Sequence, residues 1–279
     1  FKSNKRILLF LFEEKIMLMD EHIIKKIIQP RNSKYVQNDY LEYFTPEIKP
    51  FLNYNFTNSF CFSYGNAGKL KRVLQDHFYE NRKIGENEGF LYEIIRNDSI
   101  EDFIIYVNKN MYPLNSFIEH SIYETNSFLL KREHTTLIEY AVFFGSTQIF
   151  NYLRKNGVEL TSSLCEYVIH GRSAEIIHLL EENHIKLPLN RNKTDYFEYL
   201  LKESIKCHHI EVSNYILNNY LQNSTSLNTL THGLKYYNFY FIQNNADVET
   251  LFFNLCKYDY YLPLVDILKE MDIDLNKTI

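Results

Sequence analysis

The sequence has no Trp, and only eight Gly and six Pro among its 279 residues. So few turn-formers exclude a turn-rich β-protein and a Pro- or Gly-rich disordered chain. Its four Cys, at 61, 165, 207 and 256, are far apart and form no CxxC pair. That excludes a disulfide framework and points to a reducing interior, so a cytoplasmic location is expected. No apolar run is long enough to cross a bilayer. The run in "KRILLFLF" near the start meets "EEK" at once and lacks a small-residue cleavage site. No block of one charge sign stands out and the net charge is −5, which gives no electrostatic argument for nucleic acid or an anionic membrane as partner. Neither a Gly-rich phosphate loop nor G-x-S-x-G is found.

What is present is apolar and aromatic. Hydrophobic residues make up 45% and charged residues 23%, the proportions of a globular chain. With 23 Tyr and 21 Phe, the core must be built from Ile, Leu, Phe and Tyr.

The apolar residues recur. Leu137, Ala141, Ile149 and Leu153 in "TLIEYAVFFGSTQIFNYLRKNGVEL" reappear as Leu164, Val168, Ile176 and Leu180 in "SLCEYVIHGRSAEIIHLLEENHIKL". Positions four apart stack on one helix face, and the wider central gap holds a break at Gly145 and Gly171. The pattern predicts helix, tight turn, helix. Each helix is too short to stand alone, so neighbouring copies must bury one another. The same spacing predicts copies at Leu91, Ile95, Phe103 and Val107, at Leu200, Ser204, Val212 and Ile216, and at Phe252, Cys256, Leu264 and Leu268, with a weaker one at 60–74. Each copy ends in a similar tail, where Gly157 fits a left-handed cap and Met111, His184 and Asp272 take its place elsewhere.

The thread L-x3-A-x3-G-x3-I-x3-L-x3-G resembles the ankyrin repeat. Thr136, Ala141, Gly145, Ile149, Phe150, Leu153 and Gly157 match its register, but the T-P-L-H tetrad is absent and the copies are unevenly spaced. The phrases "IIRNDSIEDFIIYVNKN", "ETNSFL", "TTLIEYAVFFGS" and "IKCHHIEVSNYI" look like a large, divergent ankyrin-repeat family of unknown function in single-celled eukaryotes. The resemblance implies an all-α, ankyrin-like solenoid of stacked antiparallel helix pairs that binds other macromolecules. It implies no catalytic residue and no cofactor. The expected organisation is an N-terminal helical region, 1–85, with at most one degenerate repeat, then a divergent repeat domain, 86–279, continuing beyond the C-terminus. Within this frame 5–29 reads as helical, 30–58 as a connector with a short helix, 112–135 as an insertion and 221–249 as irregular.

Sites are scarce. "CHH" at 207–209 has ligand-like residues, but zinc or a nucleophile needs partners that the neighbouring sequence does not offer, so no metal site is expected. The acidic pairs at 86–88 and 181–182 read as solvated charge, and Lys69, Lys71 and Arg72 as a surface helix face. The groove-facing slot of successive first helices falls at Asn97, Phe143, His170, Lys206 and Tyr258, residues unlike one another between apolar slots that are alike. Phe143 could face a partner or be buried. The expected function is a non-catalytic, monomeric protein–protein interaction scaffold. The alternative is a regulatory or targeting arm of an enzyme whose catalytic part lies outside this chain.

Overall fold

The structure, a computed structural model, describes residues 4–28, 40–51, 77–132, 134–183, 192–221, 226–241, 248–260 and 263. Among these no strand forms, and an isolated antiparallel bridge joins Phe117 to Thr136. The chain divides into two units, 1–137 and 138–279. The weak copy at 60–74, the cap residues His184 and Asp272, and the core positions Leu264 and Leu268 lie outside the described residues.

The first unit holds α1 (Lys5–Glu13), α2 (Glu21–Ile28), α3 (Thr45–Ile48), α4 (Phe78–Ile84), α5 (Phe90–Arg96) and α6 (Ile100–Asn110). Asn4 caps α1 by accepting from the backbone N–H groups of Arg6 and Ile7, and Asp20 accepts from Ile23 at the start of α2. Leu8, Leu9 and Ile24 then pack against Tyr40, Leu41, Tyr43, Phe44 and Ile48. Residues 40–51, read from sequence as connector, are therefore half of a core. Two cations are buried beside it. Lys5 lies 5.4 Å from the centre of the Tyr43 ring and donates to the carbonyls of Ile122 and Glu124. Arg82 stacks over Tyr43 and Phe78 and donates to Glu47 at 2.8 Å. The 112–135 insertion is pinned back onto this unit. Thr125 donates to the Gly85 carbonyl, Asn87 donates to that of Glu119, and the Tyr92 hydroxyl accepts from the Glu119 N–H.

The second unit holds most of α7 (Leu137–Phe144), then α8 (Thr147–Lys155), α9 (Leu164–Gly171), α10 (Ala174–Glu182), α11 (Lys193–Lys206), α12 (Ile210–Tyr220), α13 (Ser226–Lys235) and α14 (Val248–Lys257). The ten positions that the spacing assigns to the core of the copies at 137, 164 and, in part, 200 are buried, from Leu137 to Ile216. Ser204 takes the place of an apolar residue there, fully buried, and its hydroxyl is satisfied by the Leu201 carbonyl and Ser213.

One turn recurs at the end of the first helix of most pairs. Gly145 N–H donates to the Val142 carbonyl and Ser146 N–H to that of Ala141. The same two bonds close the turns ending at Ser99, His209, Asn238 and Tyr260, and both are those of a Schellman cap. The penultimate residue of each is left-handed: Asp98, Gly145, His208, Tyr237 and Asp259, and Arg172 shares that conformation after α9. Met111 and Gly157 fill the same role at the ends of α6 and α8, as the tails of the copies predict.

Within the second unit a second bond recurs between consecutive pairs. In three turns the closing residue sends its side chain to a carbonyl of the previous pair, three residues before that pair's left-handed position. His209 Nδ1 donates to Ile169, Asn238 Nδ2 to Ile205 and the Tyr260 hydroxyl to Leu234. Where α7 and α9 end, two glycines allow the backbones to meet. A Cβ on Gly145 would lie 2.3 Å from the Gly171 carbonyl oxygen, and one on Gly171 would lie 2.1 Å from that of Val142.

The copy at Leu91, Ile95, Phe103 and Val107 is buried at all four positions, as the spacing predicts, and the shared turn corrects the register of the first helix in the last copy. It aligns Ala141 with Leu255 rather than Cys256. Leu255 is buried and Cys256 is exposed, as this alignment requires. It also adds a pair that the spacing missed, because α13 closes on the same turn at 233–238.

Candidate functional site

The slot predicted to face a partner lies two residues before the left-handed turn residue. The shared turn places it at Arg96, Phe143, His170, Lys206, Lys235 and Lys257. Asn97 and Tyr258 are each one residue displaced from it, and Lys235 belongs to the missed pair. In the first unit Asn97 is exposed, while Arg96 is tied to the Asn87 carbonyl and to Glu86.

In the second unit the slots adjoin. Phe143 is 6% exposed and stacks on His170 with ring centres 4.7 Å apart. This settles its place: Phe143 is a core residue, not a contact offered to a partner. His170 Nε2 lies 3.8 Å from Glu203 Oε1, and Lys206 Nζ donates to the same oxygen at 2.6 Å. Tyr236 follows, within the electrostatic reach of Lys206, Glu203 and Tyr258, and burial raises its hydroxyl pKa. Exposure increases along the row. The His170 side chain is 9% exposed, that of Lys206 is 31%, and Lys235 and Lys257 are open to solvent.

The open end is basic and aromatic. Lys235 Nζ lies 5.8 Å from the Tyr236 ring centre and Lys257 Nζ 5.7 Å from that of Tyr258, so a Lys-Tyr pair repeats in consecutive copies. Tyr237, Phe239 and Tyr240 are all exposed on the turn after α13. The Tyr260 ring lies 5.8 Å from Tyr237 and 5.9 Å from Phe239, which gathers these three rings into one group. Sequence reading missed it because 221–249 lacks the full apolar spacing.

The buried end gathers a different chemistry. Cys207 Sγ lies 3.4 Å from His170 Nδ1, and one ligand atom each of His170, Glu203 and Cys207 lie within 4.8 Å of one another. Of "CHH", Cys207 alone joins this group. His208 is exposed as the left-handed turn residue, and His209 is held by Ile169. Nucleophile, imidazole and carboxylate stand in the order of a catalytic triad. However, burial, with the Glu203 charge adding to it, pushes the Cys207 thiol up to about 11, against the opposing pull of Lys206 and Arg172. A nucleophilic thiol needs the opposite shift.

A cavity of about 440 Å³ opens between the α9/α10 and α11/α12 pairs, lined by Val168, Ile169, Leu180, Leu200 and Ile216. At its margin Glu181 accepts from the hydroxyls of Tyr215 and Tyr220. No helix among the described residues is long and apolar enough to cross a membrane. No protein-family model, curated protein or solved structure matches the chain.

Proposed function

We propose that this chain is a non-catalytic protein–protein interaction scaffold, an ankyrin-like array of helix pairs, and that its open basic and aromatic end receives an acidic segment of another protein. The grouping of Tyr237, Phe239 and Tyr260, on turns that follow helices ending in the exposed Lys235 and Lys257, is the observation that carries this reading. Exposed aromatics in a group, rather than singly, are the usual anchors of a protein interface. Lysines at equivalent slots of consecutive pairs add a repeated positive charge, which steers and selects an acidic partner. Repeat arrays build such surfaces from equivalent positions while other positions hold the fold. The ankyrin assignment rests on the sequence resemblance, and the recurring turn and the recurring bond between pairs support stacking in sequence order.

The test is affinity capture from the source cells with the wild-type chain and with Lys235→Glu/Lys257→Glu. Both lysines are exposed, so the melting temperature should stay the same. A protein retained by the wild type and lost by the variant supports the reading. Identical captures from the two baits would overturn it.

A further inference from the structure

We infer that His170, Glu203 and Cys207 form a zinc-binding site at the buried end of the row. Glu203 and Cys207 are one helical turn apart at the end of α11, so their side chains emerge on the same side. His170, from the last turn of α9, closes the triangle. The imidazole is 3.4 Å from the thiol through one nitrogen and 3.8 Å from the carboxylate through the other. One metal ion takes only one of these nitrogens, and one ligand atom of each residue lies within 4.8 Å of the others. Bonds of about 2.0–2.3 Å to N, O and S in a tetrahedral site put ligand atoms about 3.3–3.8 Å apart, so rotation of the Glu203 and His170 side chains must bring the carboxylate round to the nitrogen that the thiol shares.

The donor set fits zinc. Sulfur, imidazole nitrogen and carboxylate oxygen together suit a borderline transition metal, whereas calcium and magnesium ask for oxygen alone. The charges fit as well. As the zinc–sulfur bond forms, the thiol proton leaves to water, and one thiolate and one carboxylate then neutralise the dication. Three protein ligands leave a fourth position for water. Phe143, stacked on the imidazole, restricts the plane of the ring.

Lys206 is the competitor. Its ammonium donates to the carboxylate oxygen of Glu203 that faces His170. Zinc and the Lys206 ammonium cannot share that oxygen. Lys206 is partly exposed, so it can release Glu203 to the metal and turn to solvent. Metal occupancy would therefore free one lysine of the row. The site itself rests on its own geometry and holds whether or not the row binds a protein.

The experiment titrates the purified, chelator-treated full chain with Co²⁺ and then with Zn²⁺. One equivalent of Co²⁺ should give visible d–d bands and a near-ultraviolet thiolate-to-cobalt band, and Zn²⁺ should displace it. Cys207→Ser should abolish the thiolate band, and His170→Gln and Glu203→Gln should each weaken Zn²⁺ binding at least about tenfold. Cys165→Ser and Cys256→Ser should change neither. Lys206→Gln, at a partly exposed position, should fold normally and tighten binding, which keeps the inference testable if a buried variant fails to fold. No thiolate band, a band that survives Cys207→Ser, or Zn²⁺ affinity that Lys206→Gln leaves unchanged or weakens would overturn the site.

Discussion

Gly145 and Gly171 separate the two reasons a glycine is needed, and Gly157 supplies the control. Gly157 is left-handed with nothing within 4 Å of an added Cβ. Gly157→Ala should therefore cost only the left-handed backbone, roughly 1–2 kcal/mol. Gly145 is left-handed too, but its Cβ would meet the Gly171 carbonyl oxygen at 2.3 Å, and backbone cannot turn aside as a side chain can. Overpacking of this kind adds about 1–3 kcal/mol, so Gly145→Ala should cost roughly 2–5 kcal/mol. Gly171 is not left-handed, so there only the clash with Val142 and Gly145 backbone counts, offset by up to about 1 kcal/mol of helix propensity gained by Ala at the end of α9. The two clashes occur at one contact, so the double variant should cost less than the sum of the singles. Urea unfolding followed by circular dichroism gives the midpoints, to be compared at unchanged slope. If Gly145→Ala costs no more than Gly157→Ala, α7 and α9 do not meet as described and the stacking argument fails.

Three further outcomes follow from the packing. Phe143→Ala, which empties a buried position stacked on His170, should lose about 3–5 kcal/mol in the same assay, whereas a surface residue would lose almost nothing. Arg82→Ala should cost about 3–5 kcal/mol, because it strands Glu47 beside the aromatic core; Arg82→Met/Glu47→Gln should recover much of that, and no recovery would contradict the pairing. Burial, then the charges of Lys202 and Lys235, lowers the pKa of His232, so the folded state favours the neutral ring. The unfolded chain then binds more protons, and stability should be full above about pH 6.5 and fall as the pH drops below it. His232→Gln should flatten that acid-side slope in denaturation measured at several pH values, and an unchanged slope would assign it elsewhere.

Much of the second unit was legible in the sequence because apolar positions four apart leave no other helical face to bury. Leu137, Ala141, Ile149, Leu153 and their counterparts fall in the core as the spacing requires. The register of the last copy was not legible, since the chain sets two apolar residues side by side there. Leu91, Ile95, Phe103 and Val107 are buried as the spacing requires, but Leu255 and Cys256 fit one slot equally well on paper. The turn that decides between them is specified by backbone conformation, and Asp98, Gly145, Arg172, His208, Tyr237 and Asp259 share that conformation without sharing a residue type. The bond between pairs is hidden for the same reason, since His209, Asn238 and Tyr260 supply it with three different side chains. Residues 40–51 read as part of a connector because 30–58 is rich in Pro, Asn and Tyr, yet Tyr40, Tyr43 and Phe44 are core. The grouping of Cys207 with His170 and Glu203 needs the contact between α9 and α11, which no spacing near "CHH" reveals.

Site-specific photocrosslinking in the source cells tests the interaction reading most directly. A photoreactive side chain at position 235 or 257 sits on the open end of the row, and one at Asn219 is exposed near the end of α12, the second helix of its pair. The account predicts adducts with one common protein from 235 and 257, weakened by added salt, and none from 219. Adducts from 219 alone, or from none of the three positions, would contradict it.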